Sequence, residues 1–260
     1  MKTILKKILP RRLASALRKL CWDVLGLSLT TRSGLHLDIK SPGDWYILKE
    51  IFINCEYDQA IQHAIKLCSE DKKFRVLDLG ANVGYFSFRV VDLSLMNSME
   101  PSQIEIVAVE GDPKTYKDLV QRIDLNSANR LSIRPVLGLV GSRGGSGSIR
   151  HSEFGPKSSI LESHGNDVYS VPFIDLEKQT ETYSEIDLLK CDIEGAEELF
   201  IENYPQLLSR TRVAVFEIHR LLCDADRCIK MLEDAGLRLI KKIKNSKGTD
   251  LVLFVRRSEV

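Results

Sequence analysis

The chain has 260 residues, 43 % of them hydrophobic and 28 % charged, with a formal net charge of +1. These proportions exclude a disordered, fibrous or collagen-like chain. Seven of the 37 basic residues fall in residues 1–20, where there is no acid, leaving 30 basic against 36 acidic residues in the rest. A body of that sign is a poor match for a phosphate backbone and argues against nucleic acid as the main partner.

The first stretch, MKTILKKILPRRLASALRKLCWDVLGL, has the early charges of a signal peptide. Pro10, Arg11, Arg12, Arg18 and Lys19 interrupt its apolar runs, and no cleavage site follows. Nor is there a run of ~20 apolar residues to cross a bilayer. Leu13, Leu17, Leu20 and Val24 share a helical stripe beside the basic residues. Residues 1–28 therefore read either as a helix resting on an anionic membrane or as one packed on the domain with its charges solvated. The six cysteines, at 21, 55, 68, 191, 223 and 228, form no CxxC pair and no zinc spacing, and read as reduced thiols of a cytoplasmic protein.

Residues 1–40 are read as a basic amphipathic segment and 41–72 as a helical preface packed on the core, two helices broken near Asn54–Tyr57. From residue 73 to 260 apolar runs alternate with amphipathic stretches, the pattern of βα units. FRVLDLG (74–80) is a short buried-type strand before a glycine turn, and a helix follows from Tyr85 to about Leu95. IEIVAVE (104–110) is the next strand; Asp112-Pro113 is a helix N-cap with proline at the first position. LSIRPVLGLV (131–140) is a third strand. Residues 141–170, rich in Gly and Ser and without period, read as a flap or hairpin excursion near the site. Strand character resumes at 168–176, IDLLKCD (186–192) and RVAVFEIH (212–219) are further buried strands, and 237–244 with 250–257 make an antiparallel hairpin. The expected fold is α/β: a doubly wound, mostly parallel seven-stranded sheet with a C-terminal antiparallel hairpin.

An open parallel sheet binds ligands at the carboxyl ends of its strands, where strand order reverses. The first two strands both end in acids, Asp78 and Glu110, and Gly80 and Gly84 remove side chains where backbone would approach a ligand. An acid closing the second strand suits both hydroxyls of a ribose, so a nucleoside-containing cofactor is expected. A dinucleotide would need G-x-G-x-x-G, whereas this chain has D-x-G-x-N-x-G, and Asp78 would repel two phosphates. A cofactor with an ammonium and a sulfonium would welcome that acid instead, and S-adenosyl-L-methionine is such a molecule.

VLDLGANVGYFS (76–87), VAVEGDP (107–113), DLN (124–126) and LLKCDIEGAE (188–197) followed by FEIH (216–219) together carry a resemblance. From about residue 42 to 255 the sequence resembles the FkbM-type family of S-adenosylmethionine-dependent methyltransferases, with Cys191 in place of the usual Ile and Gly111 in place of a frequent Pro. The resemblance implies a Rossmann-like methyltransferase domain over 73–260 and, most commonly, methylation of a hydroxyl on a sugar, glycolipid or natural product. It further implies that Asp78, Gly80, Ala81, Asn82 and Gly84 line the methionine end of the cofactor. Glu110 and Gly111 would hold the ribose side, Asp112 would flank the adenine, and Asp192 and Glu194 would face the methyl group.

Methyl transfer is an in-line displacement, so alignment is most of the task. A hydroxyl acceptor must lose its proton as the bond forms, and Asp192, Glu194 and His219 are the candidates for that role. The same three could hold a divalent ion, although no metal is assigned from the sequence. The acceptor is expected to be a small molecule or glycan. Alternatives are a nicotinamide-dependent oxidoreductase, against which Asp78 speaks, and a cofactor-binding subunit without catalysis. A base- or protein-directed methyltransferase is a further alternative; those acting on base nitrogens carry Asn/Asp-Pro-Pro-aromatic where this chain has CDIEGAE.

Overall fold

A computed structural model describes residues 27–69, 72–150, 168–246 and 248–259. The basic stripe expected over 1–28 lies almost wholly outside the described residues, as does the middle of the Gly/Ser stretch, 151–167.

The centre of the molecule is a seven-stranded sheet. In chain order its strands are β3 (Phe74–Leu79), β4 (Ile104–Glu110), β5 (Ile133–Leu137), β8 (Ile186–Cys191), β9 (Thr211–His219), β10 (Leu237–Ser246) and β11 (Thr249–Arg256). Their spatial order is β10-β11-β9-β8-β3-β4-β5. The first five run parallel, and β11 lies antiparallel between β9 and β10. The chain thus lays down β3, β4 and β5 towards one edge, then restarts with β8 on the other side of β3. That reversal puts the topological switch between β3 and β8, and the carboxyl ends of those strands are where a sheet of this kind forms its ligand crevice. The expected sheet and terminal hairpin are both present.

Strand alternation distributes the core over two faces. Phe74, Val76, Ile106, Ala108, Leu188, Val213 and Val215 face one layer; Leu77, Leu79, Val107, Val109, Leu189, Ala214 and Phe216 face the other. The first layer holds α1 (Pro42–Leu48), which runs on into a wider π-helical turn at Lys49–Ile53, then α2 (Asp58–Leu67) and α3 (Tyr85–Met96). Ala60, Ile61, Ala64 and Ile65 form the buried stripe of α2, and Tyr85, Phe86, Phe88, Val90, Val91 and Leu93 are buried on α3. Each such large side chain contributes about 1.5–3 kcal/mol of burial. Next in chain order come α4 (Pro113–Leu125) after β4 and the short α5 (Leu176–Gln179). The second layer holds α6 (Glu197–Asn203), α7 (Pro205–Ser209) and α8 (Ala225–Asp234). The chain between Asn54 and Tyr57 breaks the preface where expected, with Cys55 at φ 55.

One element had no sequence signal. Residues 27–39 form a hairpin, β1 (Leu27–Thr30) and β2 (His36–Ile39), and β1 is exposed along its whole length. Leu35, Leu37 and Ile39 enter the first core, so this part of the 1–40 segment belongs physically with the domain. Asn126, at the C-cap of α4, holds it by accepting from His36 N–H at 2.8 Å and donating to His36 O at 2.9 Å. Tyr85 adds a 2.6 Å bond to Asp38 O. The ends of the Gly/Ser stretch pair as β6 (Ser146–Arg150) and β7 (Val168–Pro172), a hairpin stem beside β4 and α4.

Candidate active site

The bend after β3 is built around a carboxylate that solvent does not reach. Asp78 is 0 % exposed; its Oδ2 accepts from Ser87 Oγ at 2.7 Å, and Lys190 Nζ lies 3.5 Å from its Oδ1. Burial pushes the Asp78 carboxyl up, opposed by the Lys190 charge and the Ser87 bond. Asp78 therefore lies beneath the bend, paired with the chain's own ammonium, and not on its exposed surface. Gly80 and Gly84 also have packing reasons of their own. A Cβ on Gly80 would stand 1.7 Å from the Asp192 carbonyl oxygen, and one on Gly84 would stand 2.7 Å from Leu119 Cδ1. Both also have positive φ, +73 and +92, so protein packing and backbone shape require them. Ala81 is buried and its N–H bonds to Val109 O at 2.8 Å. Asn82, at φ 51, accepts from Val83 N–H at 2.8 Å and stays partly exposed.

Glu110 closes β4 and grips that bend. One carboxylate oxygen accepts from Asn82 N–H at 2.8 Å and the other from Asp112 N–H at 2.7 Å. Burial pushes its pKa up to about 7 against the pull of those two bonds. Asp112 caps α4 by accepting from Lys114 N–H at 2.8 Å. Gly111 packs so closely that an added Cβ would meet Leu139 at 2.9 Å and Ile149 of β6 at 3.3 Å. The β6–β7 stem thus borders this side of the crevice.

On the other side of β3, Lys190 organises the acids. It is 5 % exposed, donates to Gly80 O at 2.6 Å and Leu79 O at 3.4 Å, and stands 3.5 Å from both Asp78 and Asp192. Burial would depress the ammonium, but Asp192, Asp78 and Glu217 outweigh it and raise its pKa. Glu217, on β9, accepts from the buried Tyr57 hydroxyl at 3.3 Å. Burial and the Asp192 charge push Glu217 up to about 8. Lys190 as the structural partner of a nearby carboxylate was legible in the sequence, but Glu217 was not. Glu217 stands two residues before His219 on a strand, hence on the same face, and that period was the available signal.

The loop after β8 brings the three expected residues together. Asp192, Glu194 and His219 each offer a ligand atom, and these atoms lie within 4.8 Å of one another. Glu194 occupies a left-handed position, φ 50, that aims its Oε2 at His219 Nε2, 3.2 Å away. Glu197, the first residue of α6 and 0 % exposed, takes His219 Nδ1 at 2.8 Å. It also accepts from Gly195 N–H at 3.1 Å, Ile193 N–H at 3.3 Å and Cys223 Sγ at 3.1 Å. Burial would lower the imidazole pKa, but the bonds to Glu194 and Glu197 carry it up to about 11. Both ring nitrogens of His219 are thus engaged by carboxylates.

The fold defines the class, a doubly wound α/β protein with these groups gathered at the β3/β8 switch. The family described as Methyltransferase FkbM domain matches residues 78–239, well over half of the chain. The chain belongs to this family of methyltransferases, whose methyl donor is S-adenosylmethionine. Among solved structures, Aeropyrum pernix fibrillarin with natively bound S-adenosyl-L-methionine is 14 % identical (TM-score 0.46), over 88 % of this chain and 82 % of that one. The METTL16 methyltransferase domain is 12 % identical (TM-score 0.47), over 88 % and 86 %. M. jannaschii TYW2 in complex with AdoMet is 14 % identical (TM-score 0.42), over 89 % and 86 %. No curated protein matches the chain.

Lys190→Met strands Asp78 without a cation and is expected to cost about 3–5 kcal/mol in chemical unfolding. Adding Asp78→Asn to that variant should restore part of the loss. Equal stability of Lys190→Met and the parent would show that the pair anchors nothing.

Proposed function

We propose that this methyltransferase moves the methyl group of S-adenosylmethionine to a hydroxyl of a sugar, glycolipid or other small polyol. One observation carries the reading: Asp192, just past the end of β8, presents a partly exposed carboxylate at the carboxyl ends of the central strands. Asp78 is buried on Lys190 and Ser87, and Glu197 is held by His219 and the loop amides. Glu217 is engaged by the Tyr57 hydroxyl, and Glu194 lies 3.2 Å from His219 Nε2. Asp192 keeps a side chain 26 % exposed, touching only the edge of the Lys190 ammonium at 3.5 Å. A hydroxyl needs such a base, because its oxygen attacks only as the proton leaves.

In this reading the adenosyl group lies along the end of β4. The Glu110 carboxylate has lone pairs left beyond its two amide bonds and accepts from the ribose hydroxyls. Asp112 and the β6–β7 stem border the adenine. The sulfonium end faces Asp192, with the excess negative charge of the Lys190 cluster below it attracting that end. The acceptor enters from the preface side, where Tyr57 and Glu217 sit. The oxygen–carbon bond forms as the carbon–sulfur bond breaks, leaving a neutral thioether, while Asp192 accepts the hydroxyl proton.

Two outcomes check this. Glu110 ionises as pH rises through about 7, and its carboxylate is the better acceptor for ribose hydroxyls. Calorimetric affinity for S-adenosylmethionine should therefore tighten up to about tenfold from pH 6 to pH 8. Glu110→Gln should flatten that slope; the same slope in the variant would move the ribose elsewhere. Separately, glycans and metabolites of cells with and without the gene should differ by one methyl ether, and an Asp192→Asn copy should fail to restore it. A methylated amine or base in its place would overturn the hydroxyl assignment.

A further inference from the structure

We propose that Asp192, Glu194 and His219 form a divalent-cation site, with Glu197 as the positioning residue for its histidine. Three donor atoms within 4.8 Å of one another are near the spacing around a single ion, whose bonds to oxygen and nitrogen are roughly 2.0–2.2 Å. The donors come from two places in the central sheet, the turn leaving β8 and the last residue of β9. Two carboxylates and one imidazole suit Mn²⁺, Fe²⁺ or Zn²⁺ better than Ca²⁺, which prefers an all-oxygen shell.

Glu197 supplies the independent sign. Metal-binding histidines commonly give their other ring N–H to a carboxylate, which fixes tautomer and orientation. Here Nδ1 meets a fully buried carboxylate at 2.8 Å, and that carboxylate is itself locked by Gly195 N–H, Ile193 N–H and Cys223. The arrangement points Nε2 at Glu194, where a cation would replace the bridging proton. Three protein ligands leave open positions for substrate oxygens.

The cation's role rests on the hydroxyl-methylation reading. A coordinated hydroxyl is more acidic, so its O–H bond breaks with the proton passing to the free Asp192 oxygen or to water. Its oxygen then takes the methyl from the sulfonium. An ion held by three protein ligands would have room for more than one substrate oxygen, which would favour acceptors with a second oxygen beside the reacting hydroxyl.

The test is Mn²⁺ titration of the chelator-stripped full chain, followed by electron paramagnetic resonance, with S-adenosylhomocysteine calorimetry on the same samples. One Mn²⁺ per chain is expected, with nitrogen coupling that disappears in His219→Gln. Asp192→Asn should weaken binding at least tenfold and Glu197→Gln about 10–100-fold. Because Glu197 is buried and its variant can fail to fold, the half-exposed Asp192→Asn decides if it does. Binding unchanged by Asp192→Asn, or Mn²⁺ uptake no greater than in the triple variant Asp192→Asn/Glu194→Gln/His219→Gln, overturns the site. S-adenosylhomocysteine binding without Mn²⁺ retires the cation and leaves the methyltransferase reading. Mn²⁺ bound by these residues without S-adenosylhomocysteine supports the cation and retires that reading for the crevice.

Discussion

Lys190 is the point on which the crevice is hung. A buried ammonium is expensive unless paired and hydrogen-bonded. Here Asp78, Asp192 and the carbonyls of Leu79 and Gly80 surround it. The consequence is geometric. One side chain from β8 fastens the bend that leaves β3 to the loop that leaves β8, across the place where strand order reverses. The backbone then comes so close that the Asp192 carbonyl fills the space of a Gly80 Cβ. Asp78, Lys190, Gly80 and Asp192 are therefore one structural unit, and only the outer edge of Asp192 is left to act on anything else.

Around that fastening the site divides. On the β4 side Glu110 clamps the bend through two backbone amides while sitting at the carboxyl end of its strand, where a ribose belongs. On the β9 side Glu217, His219 and the Glu194–Gly195 turn bring carboxylates and an imidazole to the same rim. The preface contributes Tyr57, whose hydroxyl bonds to Glu217 and whose ring packs edge-on against Phe86 at 5.3 Å. The helices before β3 thus border this rim.

Periodicity and punctuation made the architecture readable. β4 begins and ends at the residues expected, 104 and 110, and Asp112-Pro113 caps its helix as composition implies. The β1–β2 hairpin was not legible because β1 buries nothing, so no alternation marks it. The site residues were recognisable as a set, but their roles were not. A glycine in a string cannot say whether its bare face meets a ligand or, as at positions 80 and 84, a carbonyl and a leucine. Nor does the string say that Glu194 and Glu197, distant from His219 in sequence, grip both of its ring nitrogens. Charge states depend on neighbours that only folding supplies.

The account stands on the claim that the crevice between Glu110 and Asp192 is the adenosyl site. The most direct measurement is a crystal structure of the full chain grown with S-adenosylhomocysteine. It should show both ribose hydroxyls on the Glu110 carboxylate, the sulfur towards Asp192, and the Lys190–Asp78 pair undisturbed beneath. A ligand bound elsewhere, or a bend that stays closed over Glu110 while the ligand saturates the protein in solution, would contradict it.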